Sequence, residues 1–156
     1  MILDKKLLFP RSEFKTKQDL FKWVGSQLLA GDYVLESWPE ALALREQDYP
    51  TGVQVSGGGV ALPHTDAKHA TQNTLAVVTL NNPITFQSMG GDGDAVEATT
   101  IVFLVFSDPK QHLKSLSKMV KAIQSEEFLT ALHDAETVED MQVVLEERLE
   151  QQSPTH

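Results

Sequence analysis

The chain has 156 residues, 41% hydrophobic and 22% charged, a balance that fits one ordinary globular domain and not a disordered segment. It contains no cysteine, which excludes disulfides, thiolate zinc sites and thiol nucleophiles. Its net charge of −9 argues against nucleic acid and against an anionic membrane surface as partners, since both reward Lys and Arg.

The opening stretch, residues 1–14, lacks the apolar run and small-residue cleavage site of a signal peptide. No apolar stretch approaches the roughly 20 residues needed to span a bilayer. A cytoplasmic location is the expectation. Thr16 followed by Asp19 resembles a capping box ahead of Leu20, Phe21, Val24, Leu28 and Leu29, which share one helical face, with Gly31 as the stop. A second helix is expected from Ser37, with Pro39 in its first turn, to about Gln47, before Tyr49-Pro50-Thr51-Gly52 breaks the pattern. The period then changes. Residues 60–62, 75–80, 84–86 and 99–106 are short apolar or β-branched runs that read as strands. Asn81-Asn82-Pro83 reads as a turn and residues 90–94 as an exposed loop. Helical periodicity returns over 111–123, a short helix is expected around 126–132, and a last helix after Thr137, with residues 151–156 fraying. Helices at both ends of a block of strands predict a single α/β domain of 1–156, its core about 8–150, with a central mixed sheet covered on both faces. The run 99–106 is apolar on both alternating faces, as a covered central strand should be.

The most unusual segment is Ser56-Gly57-Gly58-Gly59-Val60-Ala61-Leu62-Pro63-His64-Thr65. The glycines allow a close backbone approach, and Pro63 ends the strand by removing a donor. That puts His64 at a strand end, where sheet-based sites open. On spacing alone, a surface histidine in a turn explains the residue equally well.

Gly59-Val60-Ala61-Leu62-Pro63-His64 resembles the active-site motif of enzyme IIA of the fructose/mannitol type, from the bacterial sugar phosphotransferase system (PTS). Arg45-Glu46, Tyr49-Pro50-Thr51-Gly52, residues 84–89, residues 101–105 and His112-Leu113-Lys114-Ser115-Leu116 resemble further segments of that family, in the family's order. Pro63-His64-Thr65-Asp66 and the long run between Arg45 and His64 look most like the galactitol-type branch. The resemblance implies the mannitol-type IIA fold, with no cofactor. It implies that His64 accepts a phosphoryl group from phosphohistidine on the carrier HPr and passes it to a cysteine of a IIB subunit, the membrane IIC subunit being met only indirectly.

The residue chemistry fits that implication. A neutral imidazole is nucleophilic, and its ordinary pKa of about 6.5 keeps it mostly neutral near pH 7. His112, near a helix start, would donate to a phosphoryl oxygen. Arg45 would stabilise its charge or orient the loop; a surface arginine is the plain alternative. Thr51 and Thr65 could donate to the phosphoryl group or the imidazole, although turn capping accounts for both. Asp66 and His69 read as solvated, or as groups that set the tautomer of His64. The spacing His64-x-Asp66-x-x-His69 also raises a metal site, disfavoured because these residues follow a proline in a loop; no metal is expected. A regulatory reading stays open, in which phosphorylation of His64 changes an interface. The sugar, the oligomeric state and the strand order are not encoded in these patterns.

Overall fold

A computed structural model describes residues 3–91 and 93–151. Alternation along two long strands sets the architecture. In β4 (Thr74–Gln87) Leu75 and Val77 face one way and Ala76 and Val78 the other. In β5 (Ala95–Val105) Val102 and Leu104 oppose Ile101, Phe103 and Val105 in the same manner. A strand apolar on both faces needs cover on both. The cover comes from α1 (Lys17–Ala30) and α2 (Trp38–Asp48) on one side. On the other side it comes from α3 (Pro109–Ala122), α4 (Glu126–Asp134) and α5 (Val138–Gln151). The α/β class with a mixed sheet between two helical layers is as expected.

With β1 (Leu8–Ser12), β2 (Gly52–Val55) and β3 (Gly58–Ala61), the five strands lie in the order β1-β4-β5-β3-β2. β4–β5 and β2–β3 pair antiparallel, and β1–β4 and β3–β5 parallel. β5 is the central strand, as its two-sided apolar pattern requires.

The caps follow the sequence signals. Thr16 Oγ1 accepts the Asp19 N–H at 3.0 Å ahead of α1, and Thr137 Oγ1 accepts the Asp140 N–H at 3.1 Å ahead of α5. Ser37 differs: it precedes α2 without capping it, and its hydroxyl instead meets His69 Nδ1 at 2.8 Å. The expected turn at Asn81-Asn82-Pro83 is not a turn. β4 runs through it, and its register against β5 slips between Thr79 and Ile84. The three residues bulge to solvent while Leu80 pairs with Ser12 of β1, so the polar residues sit on an exposed irregularity of a continuous strand. Two strands escaped the sequence signals. β1 carries Pro10 and a left-handed Arg11 (φ 52°), and β2 is four residues opening on glycine. Both are edge strands, where such residues are tolerated. Of the tail expected to fray, Gln151 ends α5, and 152–156 lie outside the described residues.

Candidate active site

β3 and β5 run parallel, so the segments that leave them emerge at the same end of the sheet. Carboxyl ends of parallel strands are where α/β sheets open sites. The first segment delivers His64, and the second leads into α3 and delivers His112. The two rings meet edge to face with centroids 4.8 Å apart, and Phe106 stands 6.1 Å from the His112 ring.

The approach to His64 depends on Gly59. A β-carbon there would collide with the carbonyl oxygen of Glu97, so only glycine fits beneath β5 at this point. The β3–β5 register shifts between Gly59 and Val60, a bulge that re-aims the strand just before the histidine. Pro63 contributes no donor, but its carbonyl accepts the Leu104 N–H at 3.1 Å, while the Leu62 N–H donates to the Thr51 carbonyl at 3.2 Å. The loop is therefore held from β5 on one side and from the start of β2 on the other.

His64 Nδ1 lies 2.8 Å from the carbonyl oxygen of Leu62. A carbonyl can only accept, so Nδ1 carries the proton and Nε2 of the neutral ring keeps its lone pair. Burial pushes the His64 pKa below its ordinary value, and the Arg45 charge adds to this; the bond to Leu62 and the Asp66 carboxylate oppose it. The His112 pKa is lowered by burial first, then by His64 and Arg45, with Asp66 again opposing. Both imidazoles are thereby held neutral around pH 7.

At the N-terminus of α3, Pro109 has no N–H, the Lys110 N–H is taken by Asp108 Oδ1 at 3.0 Å, and the His112 N–H bonds to the Asp108 carbonyl at 2.9 Å. These helix-start donors are thus occupied, and the His112 ring itself is the group that faces His64.

Arg45 stands in the last turns of α2, its guanidinium 4.4 Å above the Tyr49 ring and 3.9 Å from Asp66 Oδ1. Its Nε is buried without a hydrogen-bond partner. Asp66, exposed, precedes the short 3-10 turn Ala67–His69 without a side-chain cap, and Thr65 is buried next to His64. Thr51 is buried and spends both of its donors on Glu46, its N–H at 2.8 Å from Oε2 and its hydroxyl at 2.7 Å from Oε1. No donor of Thr51 is left for a phosphoryl group. His69 turns away to Ser37, and among the described residues no three His, Asp or Glu side chains are grouped to hold a metal.

In the sequence, Glu46 and Tyr49 stand out only as parts of motifs. For Glu46 a signal existed: Trp38, Leu42 and Glu46 lie four apart on the buried face of α2, a stripe that ends in a carboxylate.

Fold and site together define a class, an α/β domain with paired imidazoles at the carboxyl ends of two parallel strands. The chain belongs to the EIIA 2 family of the phosphoenolpyruvate-dependent sugar phosphotransferase system, whose profile matches residues 1–148. It is 30% identical over 127 residues to the galactitol-specific EIIA component of Escherichia coli K12, covering 80% of this chain and 84% of that one. The fold matches the crystal structure of IIA mannitol from Escherichia coli with a TM-score of 0.73 at 18% identity, covering 93% and 99% of the two chains. It also matches the Escherichia coli complex of mannitol enzyme IIA with phosphorylated enzyme IIB, at 0.73 and 16% identity, covering 97% and 100%. The resemblance read from the motifs is therefore correct, and the chain is an EIIA-type phosphotransferase component. Among the described residues no helix is long and apolar enough to cross a membrane.

Proposed function

We propose that this chain is a cytoplasmic phosphocarrier that takes a phosphoryl group on Nε2 of His64 and serves uptake of a galactitol-like polyol or sugar. The observation that carries the reading is the bond from His64 Nδ1 to the Leu62 carbonyl, which leaves Nε2 as the nucleophile beside a second imidazole.

In the first step the Nε2 lone pair attacks the phosphorus of phosphohistidine on HPr. The Nε2–P bond forms, the donor's N–P bond breaks, and its electron pair returns to the donor nitrogen. The phosphorylated ring keeps its Nδ1 proton against Leu62, which offsets the charge the ring acquires. In the second step a cysteine thiolate of the IIB subunit attacks the same phosphorus and the Nε2–P bond breaks. Such transfers need positioning and charge stabilisation more than covalent help from the protein. His112 supplies a ring N–H to a phosphoryl oxygen, and Arg45, tied to Asp66 only at 3.9 Å, supplies a fixed positive charge. Leu113 and Tyr49, 68% and 62% exposed beside these residues, offer apolar ground on which partners can approach. The IIB partner is supported by the fold shared with the mannitol IIA–IIB complex.

The test is labelling by phospho-HPr. Wild-type protein should acquire one acid-labile phosphoryl group and His64→Ala none; undiminished labelling of the variant overturns the assignment. Transfer onward to a IIB cysteine separates a carrier from a regulatory relative, which would be labelled without passing the group on.

A further inference from the structure

Glu46 is the one acidic or basic side chain among the described residues that is buried from solvent, at 4% exposure, and the transfer chemistry does not use it. Burying a carboxylate is costly unless directed hydrogen bonds repay it, and well-packed apolar groups usually hold a turn as firmly. Both Glu46 oxygens are spent on one residue, Thr51, across the turn between α2 and β2. From there the bonds continue. The Thr51 carbonyl accepts the Leu62 N–H at 3.2 Å, and the Leu62 carbonyl accepts from His64 Nδ1 at 2.8 Å. The residue before Glu46 is Arg45, so one clamp ties together the helix that carries the guanidinium and the loop that carries the imidazole.

We propose that Glu46 is a positioning residue for phosphoryl transfer, fixing through Thr51 and Leu62 the carbonyl that orients His64 and holds its Nε2 unprotonated. This rests on the carrier reading above for the transfer step, but not for the orientation of the ring. Burial pushes the Glu46 pKa up, and the two Thr51 bonds and Lys17 pull it back, as expected of a carboxylate whose partners are few and specific.

The test uses Glu46→Leu, which keeps volume without acceptors, and Glu46→Gln, whose amide can accept the Thr51 N–H and donate to its hydroxyl oxygen. Proton–nitrogen correlation spectra of the unphosphorylated, nitrogen-labelled protein report the His64 tautomer. Transfer from phospho-HPr gives kcat and KM separately. Glu46→Leu should mix the two tautomers and lower kcat about tenfold at unchanged KM, because small misplacements of a nucleophile are costly. Glu46→Gln should restore the wild-type tautomer and kcat. Should Glu46→Leu not fold, Thr51→Val, which removes one bond of the clamp, should show a smaller change in the same direction. A wild-type tautomer and kcat in the folded Leu variant, or in Thr51→Val in its place, overturns the proposal. So does Glu46→Gln failing as badly as Glu46→Leu, which would make the charge and not the clamp the operative feature. The tautomer is read without any transfer, so failure of the carrier reading is told apart by the absence of label on wild-type protein.

Discussion

His64 and His112 are partly buried, and His64 is one of the charges that depress the His112 pKa, so the pair resists protonation. Each folded value lies below the ordinary 6.5, and the sign follows. The unfolded chain binds more protons just below pH 6.5, so the stability due to these groups is complete above that pH and is lost as pH falls through the folded values. Thermal melts should show this acid-side loss, and it should shrink in His112→Ala. The acid-side decline of phosphoryl acceptance should be centred below pH 6.5, since the His64 pKa is lowered; a decline centred on the ordinary imidazole pKa would contradict the assigned environment. His112→Ala should also slow transfer roughly 10- to 100-fold, the worth of one donor to a charged oxygen, with folding stability within about 1 kcal/mol of wild type. Single-turnover kinetics beside a denaturant melt checks both. Both histidines were legible because each stands in a short motif at an element boundary. The part of Glu46 was not, because its value lies in bonds to a residue whose own carbonyl reaches a third segment.

Among the elements, β3 is the most constrained by its neighbours. Gly59→Ala pushes a methyl group into the Glu97 carbonyl, and backbone must move to admit it. A loss of about 2–4 kcal/mol is expected, with slower transfer, because Leu62 and Pro63 lie just beyond the end of this strand. Thermal unfolding and the His64 tautomer in the variant check the two halves of that statement. The helices were read well from sequence, since apolar spacing and caps such as Thr16 and Thr137 are local features. The edge strands were not. β1 and β2 are short and interrupted, and they exist because β4 and β3 offer them a ladder. The turn expected at Asn81-Asn82-Pro83 fails for the same reason: its residue types are a local signal, while β5 continues opposite and β1 takes up Leu80.

Across the molecule, the two cores share the same strands. Phe103 packs with Phe21 and Trp38 on one face, and Leu104 belongs to the other. Neither helical layer has a partner of its own without the sheet, so unfolding should be a single cooperative transition. Phe103→Ala should cost about 3–5 kcal/mol. It should lower the transitions seen by far-ultraviolet and near-ultraviolet dichroism together; separate transitions would show that the layers melt independently. The layered architecture was legible from the period change along the chain. The strand order was not, because alternation says which residues are buried and not which strand lies beside which.

The packing of β1 has a consequence for the order in which the structure can be assembled. β1 lies against β4 and under α5, and the 3-10 turn Lys5–Leu7 before it also touches α5. During synthesis this segment leaves the ribosome long before either neighbour exists. Leu7 and Phe9 face the layer of α1, which follows soon after, but Leu8 must wait in solvent until residues 74–87 supply a ladder and residues 138–151 a roof. A nascent chain stalled between those two points would hold a sheet with one edge paired but uncovered, exposed to holdase chaperones and to proteases until its last helix is made.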